Sequence, residues 1–173
     1  MSAFKIEAAT PLDARSLAAL SIEVWLDTYA TEGISDSFAA HVLETYTPEA
    51  FAGALADRNK YLLVARNDVG LMGYVLLNLK VDPVSPGSGT AEFETLYVRR
   101  HHQRLGLGRR LFDNALKLAA AAGQEKLFLT VYEKNDRAIA FYEALGMRHE
   151  GRWTFEFEGG AVPNLIMVRE TDM

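Results

Sequence analysis

Cysteine is absent from the 173-residue chain, which excludes disulfides and thiol nucleophiles from its stability and its chemistry. The absence also fits a reducing compartment. Positive charge is in deficit: 18 Lys and Arg face 23 Asp and Glu, a net charge of −5. Nucleic-acid-binding domains are normally basic, so nucleic acid is not an expected partner. A mildly acidic surface suits cationic or amine ligands instead. No apolar run reaches the roughly 18 residues that a membrane-spanning helix requires. The segment Met1–Glu7 has neither the basic flank nor the apolar core of a secretory leader. A cytoplasmic protein without a membrane partner is expected. There is no internal repeat and no linker-like stretch. With 49% hydrophobic residues, the chain reads as one domain over 1–173, large enough for a substantial core.

Local patterns predict the elements. Phe4–Ala8 alternates like a strand. Thr10-Pro11-Leu12-Asp13 starts a helix, with Thr as N-cap, Pro in the first turn and an acid behind it. Leu17, Leu20, Val24 and Trp25 carry that helix toward Tyr29, and Gly33 stops it. Ser35-Asp36 opens a second helix, and Thr47-Pro48-Glu49 a short helical piece. Residues 61–65 and 71–77 are strands joined by a turn at Asn67–Gly70. Residues 82–89, rich in Pro, Gly and Ser, form a loop expected to be a mobile rim. A strand at 92–98, a helix at 104–121, a strand at 126–132, a helix at 136–145 and strands near 148–157 and 164–169 follow. The order is β-α-α-β-β-β-α-β-α-β-β.

The richest stretch is Glu92–Val98 followed by Gln103-Arg104-Leu105-Gly106-Leu107-Gly108-Arg109-Arg110. An apolar strand enters a basic, glycine-containing loop that opens a helix. Unpaired N–H groups and the positive end of the helix dipole meet there, a ready site for phosphate. Gly106 and Gly108 let a ligand approach the backbone. Arg104, Arg109 and Arg110 supply charge and donors for phosphate oxygens. Two familiar phosphate loops do not fit. No Lys-Ser or Lys-Thr follows a glycine pair, so there is no P-loop. Leu111 stands where a dinucleotide fingerprint needs its third small residue. A nucleotide-binding regulator is correspondingly disfavoured.

What remains, Gln-x-x-Gly-x-Gly after a strand, resembles the acetyl-CoA signature of the GNAT superfamily of N-acetyltransferases. Asn135–Met147 resembles that family's second block, Asn-x-x-Ala-x-x-Phe-Tyr-x-x-x-Gly-Phe, with Met147 in place of the Phe. The element order resembles the family's over essentially the whole chain. The resemblance implies a mixed α/β (α+β) fold: a single domain with a mostly antiparallel sheet of six to seven strands, helices on both faces, and a splay between the fourth and fifth strands. It implies acetyl-CoA as co-substrate and no metal. The pyrophosphate would lie on Gln103, Arg104, Leu105, Gly106, Leu107, Gly108 and Arg109. The pantetheine arm would bond to the backbone of Leu96, Tyr97 and Val98 like an added strand, with Asn135 also touching CoA.

The implied reaction is attack of an amine on a thioester. An alkyl ammonium, with a pKa of about 10, must lose a proton first. Glu92 and Glu94, two apart on one strand, face the same side, and carboxylates on a buried face are costly without a partner or a task. Glu92 lies eleven residues before Gln103, matching the base of the family's histone acetyltransferases; a substrate-orienting rim carboxylate is the alternative, and Glu94 is the next candidate base. Tyr142 matches the family's acid for the leaving thiolate. Ala138, Phe141, Tyr142 and Leu145 also form a helical stripe, so plain core remains open for it. Trp25, Thr28, Tyr29 and Tyr46 come from the first two helices, which in the family flank the acceptor cleft; an aromatic stripe at helical spacing is usually core, so that reading stays open for them. His101, His102 and His41 read as solvated or structural, since adjacent histidines without a matched cluster rarely hold metal.

The acceptors implied are small amines or polyamines first, a protein N-terminus or lysine second, an aminoglycoside third. A CoA-binding sensor without turnover is the alternative of another class. Homodimers are common in the family, and the C-terminal strands are the segments that could pair across subunits.

Overall fold

The structure, a computed structural model, describes residues 4–157 and 160–171. The reading of the first residues as lacking a leader extends over 1–3, outside the described residues. Strand β1 (Lys5–Ala8) is followed by a 3-10 turn at Pro11–Asp13 and by α1 (Ala14–Tyr29). The Asp13 carboxylate closes the expected start: it accepts the Thr10 N–H at 2.8 Å and the Thr10 hydroxyl at 3.1 Å. It also receives Arg66 Nη2 at 2.8 and 2.9 Å, tying this turn to β2 (Lys60–Arg66). Two further helices start on side-chain caps. Ser35 Oγ accepts the Phe38 N–H ahead of α2 (Asp36–Thr45), and Thr47 Oγ1 accepts the Ala50 N–H ahead of α3 (Pro48–Ala56). The short helical piece expected at Thr47-Pro48-Glu49 is α3, which the expected order of elements did not count.

Strand β3 (Leu71–Asn78) follows a turn in which Asn67 Oδ1 accepts the N–H groups of Val69 and Gly70. Then come β4 (Glu92–Val98), a 3-10 turn at Arg100–His102, α4 (Leu107–Ala121), β5 (Lys126–Tyr132), α5 (Asp136–Ala144), β6 (Arg148–Phe157) and β7 (Gly160–Glu170). The last strand therefore begins four residues earlier than the 164–169 span suggested. Its partner β6 keeps the span expected for it and continues the antiparallel register out to Phe157↔Gly160, which extends β7. The seven strands form one sheet in the order β1-β2-β3-β4-β5-β7-β6. The pairs β1–β2, β5–β7 and β6–β7 are antiparallel. Strands β4 and β5 pair in parallel at Glu92↔Phe128, near the start of both, which fits the expected splay. Among the described residues no helix is long and apolar enough to cross a membrane.

Packing divides the chain into two compact units. The first comprises residues through Leu76 together with Thr95–Phe112; the second comprises Leu77–Glu94 and Asp113 onward. In the first, Leu17, Phe51, Val64 and Tyr74 are buried together between α1, α3 and the sheet. Each such side chain contributes roughly 1.5–3 kcal/mol by leaving water. In the second, Phe128, Ile166 and Val168 form a core against which Val81 and Val84 pack. The 82–89 loop is thus tied to its own unit. Val81 N–H donates to the Thr90 carbonyl at 2.9 Å, and Ser88, fully buried, closes a turn on Ser85 at 2.9 Å. Helix α4 buries Leu107, Leu111, Phe112, Ala115 and Ala119. Leu118, three residues after Ala115, is only partly buried. A spacing of four from Ala115 reaches Ala119 and keeps the stripe on one face.

Candidate active site

In the first unit, the end of β4 and the loop behind it form a corner. Arg99 N–H donates to the Met72 carbonyl at 3.0 Å, holding the strand end on β3. Gly73 makes the approach closer still: a Cβ there would lie 2.6 Å from the Tyr97 carbonyl and 3.1 Å from Leu107 Cδ2. Gln103 Nε2 donates to the Val98 carbonyl at 2.8 Å, while its Oε1 is buried without a protein partner. Arg104 and Gly106 then take left-handed conformations, φ +63° and +77°. For Arg104 this costs about 1–2 kcal/mol. It is also why α4 begins at Leu107 rather than at Arg104 as its sequence pattern suggested: two left-handed residues cannot lie within a right-handed helix.

The consequence is a clean helix start. Arg110 N–H donates to the Gly106 carbonyl at 3.1 Å. The N–H groups of Leu107, Gly108 and Arg109 precede that bond, in the turn where helical N–H groups have no intrahelical acceptor. The space where a Gly106 side chain would stand holds no atom within 4 Å, so the backbone there is open to a ligand. The surrounding cations divide by task. Arg99 grips Glu23 at 2.9 and 3.0 Å, Arg100 reaches Asp27 at 3.4 Å, and Arg110 stacks over the Phe4 ring at 4.3 Å. Arg104 and Arg109 are exposed at the corner.

On the same unit, aromatic side chains gather around Tyr97. Its hydroxyl lies 3.2 Å from that of Tyr46, and its ring meets the Tyr74 ring edge-on at 5.8 Å between centroids. Tyr74 in turn hydrogen-bonds Ser21 at 2.8 Å. Burial, reinforced by Tyr46 and Tyr74, pushes the Tyr97 hydroxyl well above the usual tyrosine value. Trp25 is buried among Tyr29, Phe38 and His41. Thr28 Oγ1 donates to the Val24 carbonyl at 2.8 Å. Burial lowers the His41 pKa below its ordinary 6.5, so its ring is neutral at pH 7 within this aromatic packing.

The second unit carries the carboxylates and the candidate acid. Glu92 and Glu94 are half-buried, while Phe93 between them is buried. The two carboxylates therefore sit on the less enclosed face of β4, not on the fully buried one. Glu94 Oε1 accepts from Asn78 Nδ2 at 2.7 Å. Asn135 caps α5, its Oδ1 accepting the Ala138 N–H at 3.1 Å. None of the residues within α5 is fully buried. Tyr142 is half-buried with its ring edge against Phe141 at 5.3 Å, so Ala138, Phe141 and Tyr142 are not enclosed core. Among the described residues no group of three or more His, Asp or Glu side chains is placed to hold a metal ion.

Sequence reasoning missed two residues of this geometry. Gly73 had a legible signal, since a lone glycine inside an apolar strand often marks a close backbone approach. Asn78 had none: a strand-end asparagine reads as a turn former.

Comparison with known proteins shows the family. The acetyltransferase (GNAT) family model matches residues 21–147, most of the chain. The chain belongs to that family and is an N-acetyltransferase. An uncharacterised N-acetyltransferase of Lactobacillus delbrueckii subsp. lactis is 27% identical over 153 residues, covering 85% of this chain and 86% of its own. Among solved structures, a PaiA N-acetyltransferase from Thermoplasma acidophilum in complex with coenzyme A is similar with a TM-score of 0.75 at 20% identity, over 97% of this chain and 99% of that one. A spermidine N-acetyltransferase from Vibrio cholerae in complex with CoA and spermine has a TM-score of 0.68 at 24% identity, over 97% and 95%. These two likenesses concern the fold.

Proposed function

We propose that residues 1–173 work as a single cytoplasmic domain that transfers the acetyl group of acetyl-CoA to a primary amine. The pyrophosphate rests on Gln103–Arg109, held by the helix N–H groups and by Arg104 and Arg109. The pantetheine arm runs along Leu96, Tyr97 and Val98, and Asn135 meets the CoA arm. A carboxylate of β4, Glu92 or Glu94, accepts the ammonium proton directly or through water. The neutral amine attacks the thioester carbonyl and forms the C–N bond. The tetrahedral adduct breaks its C–S bond, the nitrogen gives up its second proton to solvent, and Tyr142 protonates the departing thiolate. Trp25, Thr28 and Tyr29 wall the acceptor side. A small amine or polyamine is the first acceptor class, in keeping with the spermidine enzyme above; a protein N-terminus or lysine is second.

The observation that carries this reading is the corner at Arg104–Gly106. Its two left-handed residues precede the first turn of α4, and the space at the Gly106 Cβ position is open. Thermal melts with acetyl-CoA, CoA, ATP and NAD test it, followed by thiol release with spermidine, L-lysine, ethanolamine and a short peptide as acceptors. A rise in melting temperature selective for acetyl-CoA and CoA is expected, because a ligand bound only by the native state stabilises it by mass action. No rise with saturating acetyl-CoA would overturn the reading.

A further inference from the structure

Strand β3 is buried from Met72 to Asn78, and Asn78 is the one side chain in that run that carries an amide. Burying an amide is costly unless it is hydrogen-bonded. Asn78 is bonded at both ends. Its Oδ1 accepts the Lys80 N–H at 3.1 Å, and its Nδ2 donates to Glu94 Oε1 at 2.7 Å. The first bond decides the second. A backbone N–H can only donate, so it selects the oxygen of the carboxamide and turns the NH2 group toward Glu94. A carboxylate can only accept, so the two ends agree on one orientation. The bond to Glu94 is short and charge-assisted, of the kind roughly twice as strong as a neutral one.

We propose that Asn78 is a positioning residue for Glu94, and that Glu94 is the β4 carboxylate that receives the acceptor's proton. Holding Oε1 restrains the carboxylate and narrows the directions in which Oε2 can point. A flexible glutamate loses rotamer entropy when it is ordered; Asn78 supplies that order before substrate arrives. Proton transfer to a positioned group is worth about 10²–10⁴-fold, and misdirecting the acceptor oxygen forfeits part of it. The inference rests on the reading of the protein as an acetyl-CoA-dependent amine acetyltransferase and deepens it by choosing between the two carboxylates.

The alternative role for Asn78 is purely structural, capping the end of β3 through Lys80. A double-mutant cycle separates the two. Asn78→Ala, Glu94→Gln, the double variant and Glu92→Gln are assayed by thiol release with the most active amine among spermidine, L-lysine, ethanolamine and the peptide, alongside the Kd for acetyl-CoA. Asn78→Ser, whose hydroxyl can still accept the Lys80 N–H but is too short for Glu94, serves in place of Asn78→Ala if that variant does not fold. Asn78→Ala and Asn78→Ser are expected to lower kcat about 10- to 100-fold, with acetyl-CoA affinity within about twofold of the parent. In the Glu94→Gln background the Asn78 substitution is expected to add almost nothing. Equal losses in both backgrounds, or a loss confined to melting temperature, would overturn the positioning role. Full kcat in Glu94→Gln with a large loss in Glu92→Gln would overturn Glu94 as the base while leaving the transferase reading intact. No thiol release by the parent with any of the four amines would overturn that underlying reading and this inference with it.

Discussion

Replacing Gly73 with alanine adds one methyl group where β3 presses on the end of β4. The added Cβ would stand 2.6 Å from the Tyr97 carbonyl oxygen and 3.2 Å from Val98 Cα. A comfortable C···O approach is about 3.3 Å, so the two strands must part by about 0.7 Å. Both obstacles are backbone, and no rotamer change relieves them. Overpacking of this kind costs about 1–3 kcal/mol. In a protein of this size, a loss of about 2 kcal/mol lowers Tm by roughly 4–8 °C. The same displacement moves the carbonyl and N–H groups of Tyr97 and Val98, on which the pantetheine arm is proposed to lie. Losing one such bond, at about 1–1.5 kcal/mol, raises the Kd for acetyl-CoA about tenfold. Differential scanning fluorimetry with and without acetyl-CoA reads both effects in one experiment. Gly53→Ala is the control: it sits exposed in α3 with nothing within 4 Å of a new Cβ, so it should stabilise by up to about 1 kcal/mol. If Gly73→Ala melts and binds acetyl-CoA like the parent, the close packing of β3 on Tyr97 is refuted. If it melts lower but binds normally, the pantetheine arm does not use this strand end.

Three other perturbations have definite expectations. Gly106→Val places a branched side chain at φ +77° in the open space of the phosphate corner; acetyl-CoA binding measured by calorimetry should weaken at least tenfold, and unchanged affinity would remove the corner from the site. Tyr142→Phe should lower kcat by about 10²-fold or more with little change in acetyl-CoA affinity, and a wild-type kcat at all pH values would sink its role as acid. Asp13→Ala should cost about 2 kcal/mol in urea unfolding, less than the ~3–5 of a fully buried pair, because Arg66 is 25% exposed and keeps Glu7 at 2.7 Å. Burial alone would raise the Asp13 pKa, but its bonds from Thr10 and Arg66 outweigh that and hold it below 3.8. Its contribution is therefore present above the unfolded value and lost as pH falls through the lower folded value. The variant should lack that acid-side loss, and an unchanged acid limb would refute the pairing.

What the sequence could and could not reveal divides along a physical line. Capped helices were legible because their signals are local: Ser35 and Thr47 each cap the helix they precede, while Thr10 precedes the 3-10 turn that leads into α1. The strands at 61–65 and 71–77 were legible because Asn67 and Gly70 mark the turn between them. The start of α4 was misplaced by three residues because apolar periodicity does not see backbone handedness. Arg104, a good helix former by composition, is left-handed in the folded chain, and only the surrounding packing can hold a non-glycine residue there. Within the candidate site the same line holds. Gln103, Gly106, Asn135 and Tyr142 lie in two contiguous motifs, which is why the sequence offers them together as candidates. The bond from Asn78 to Glu94 joins residues sixteen apart, and nothing in either neighbourhood announces the other. The Tyr46–Tyr97 pair spans fifty-one. A motif records what a short stretch of backbone must do for a ligand. The groups that aim a side chain come from whichever strand the fold brings alongside, so a sequence that offers a candidate cofactor corner leaves Asn78, the partner of Glu94, unannounced.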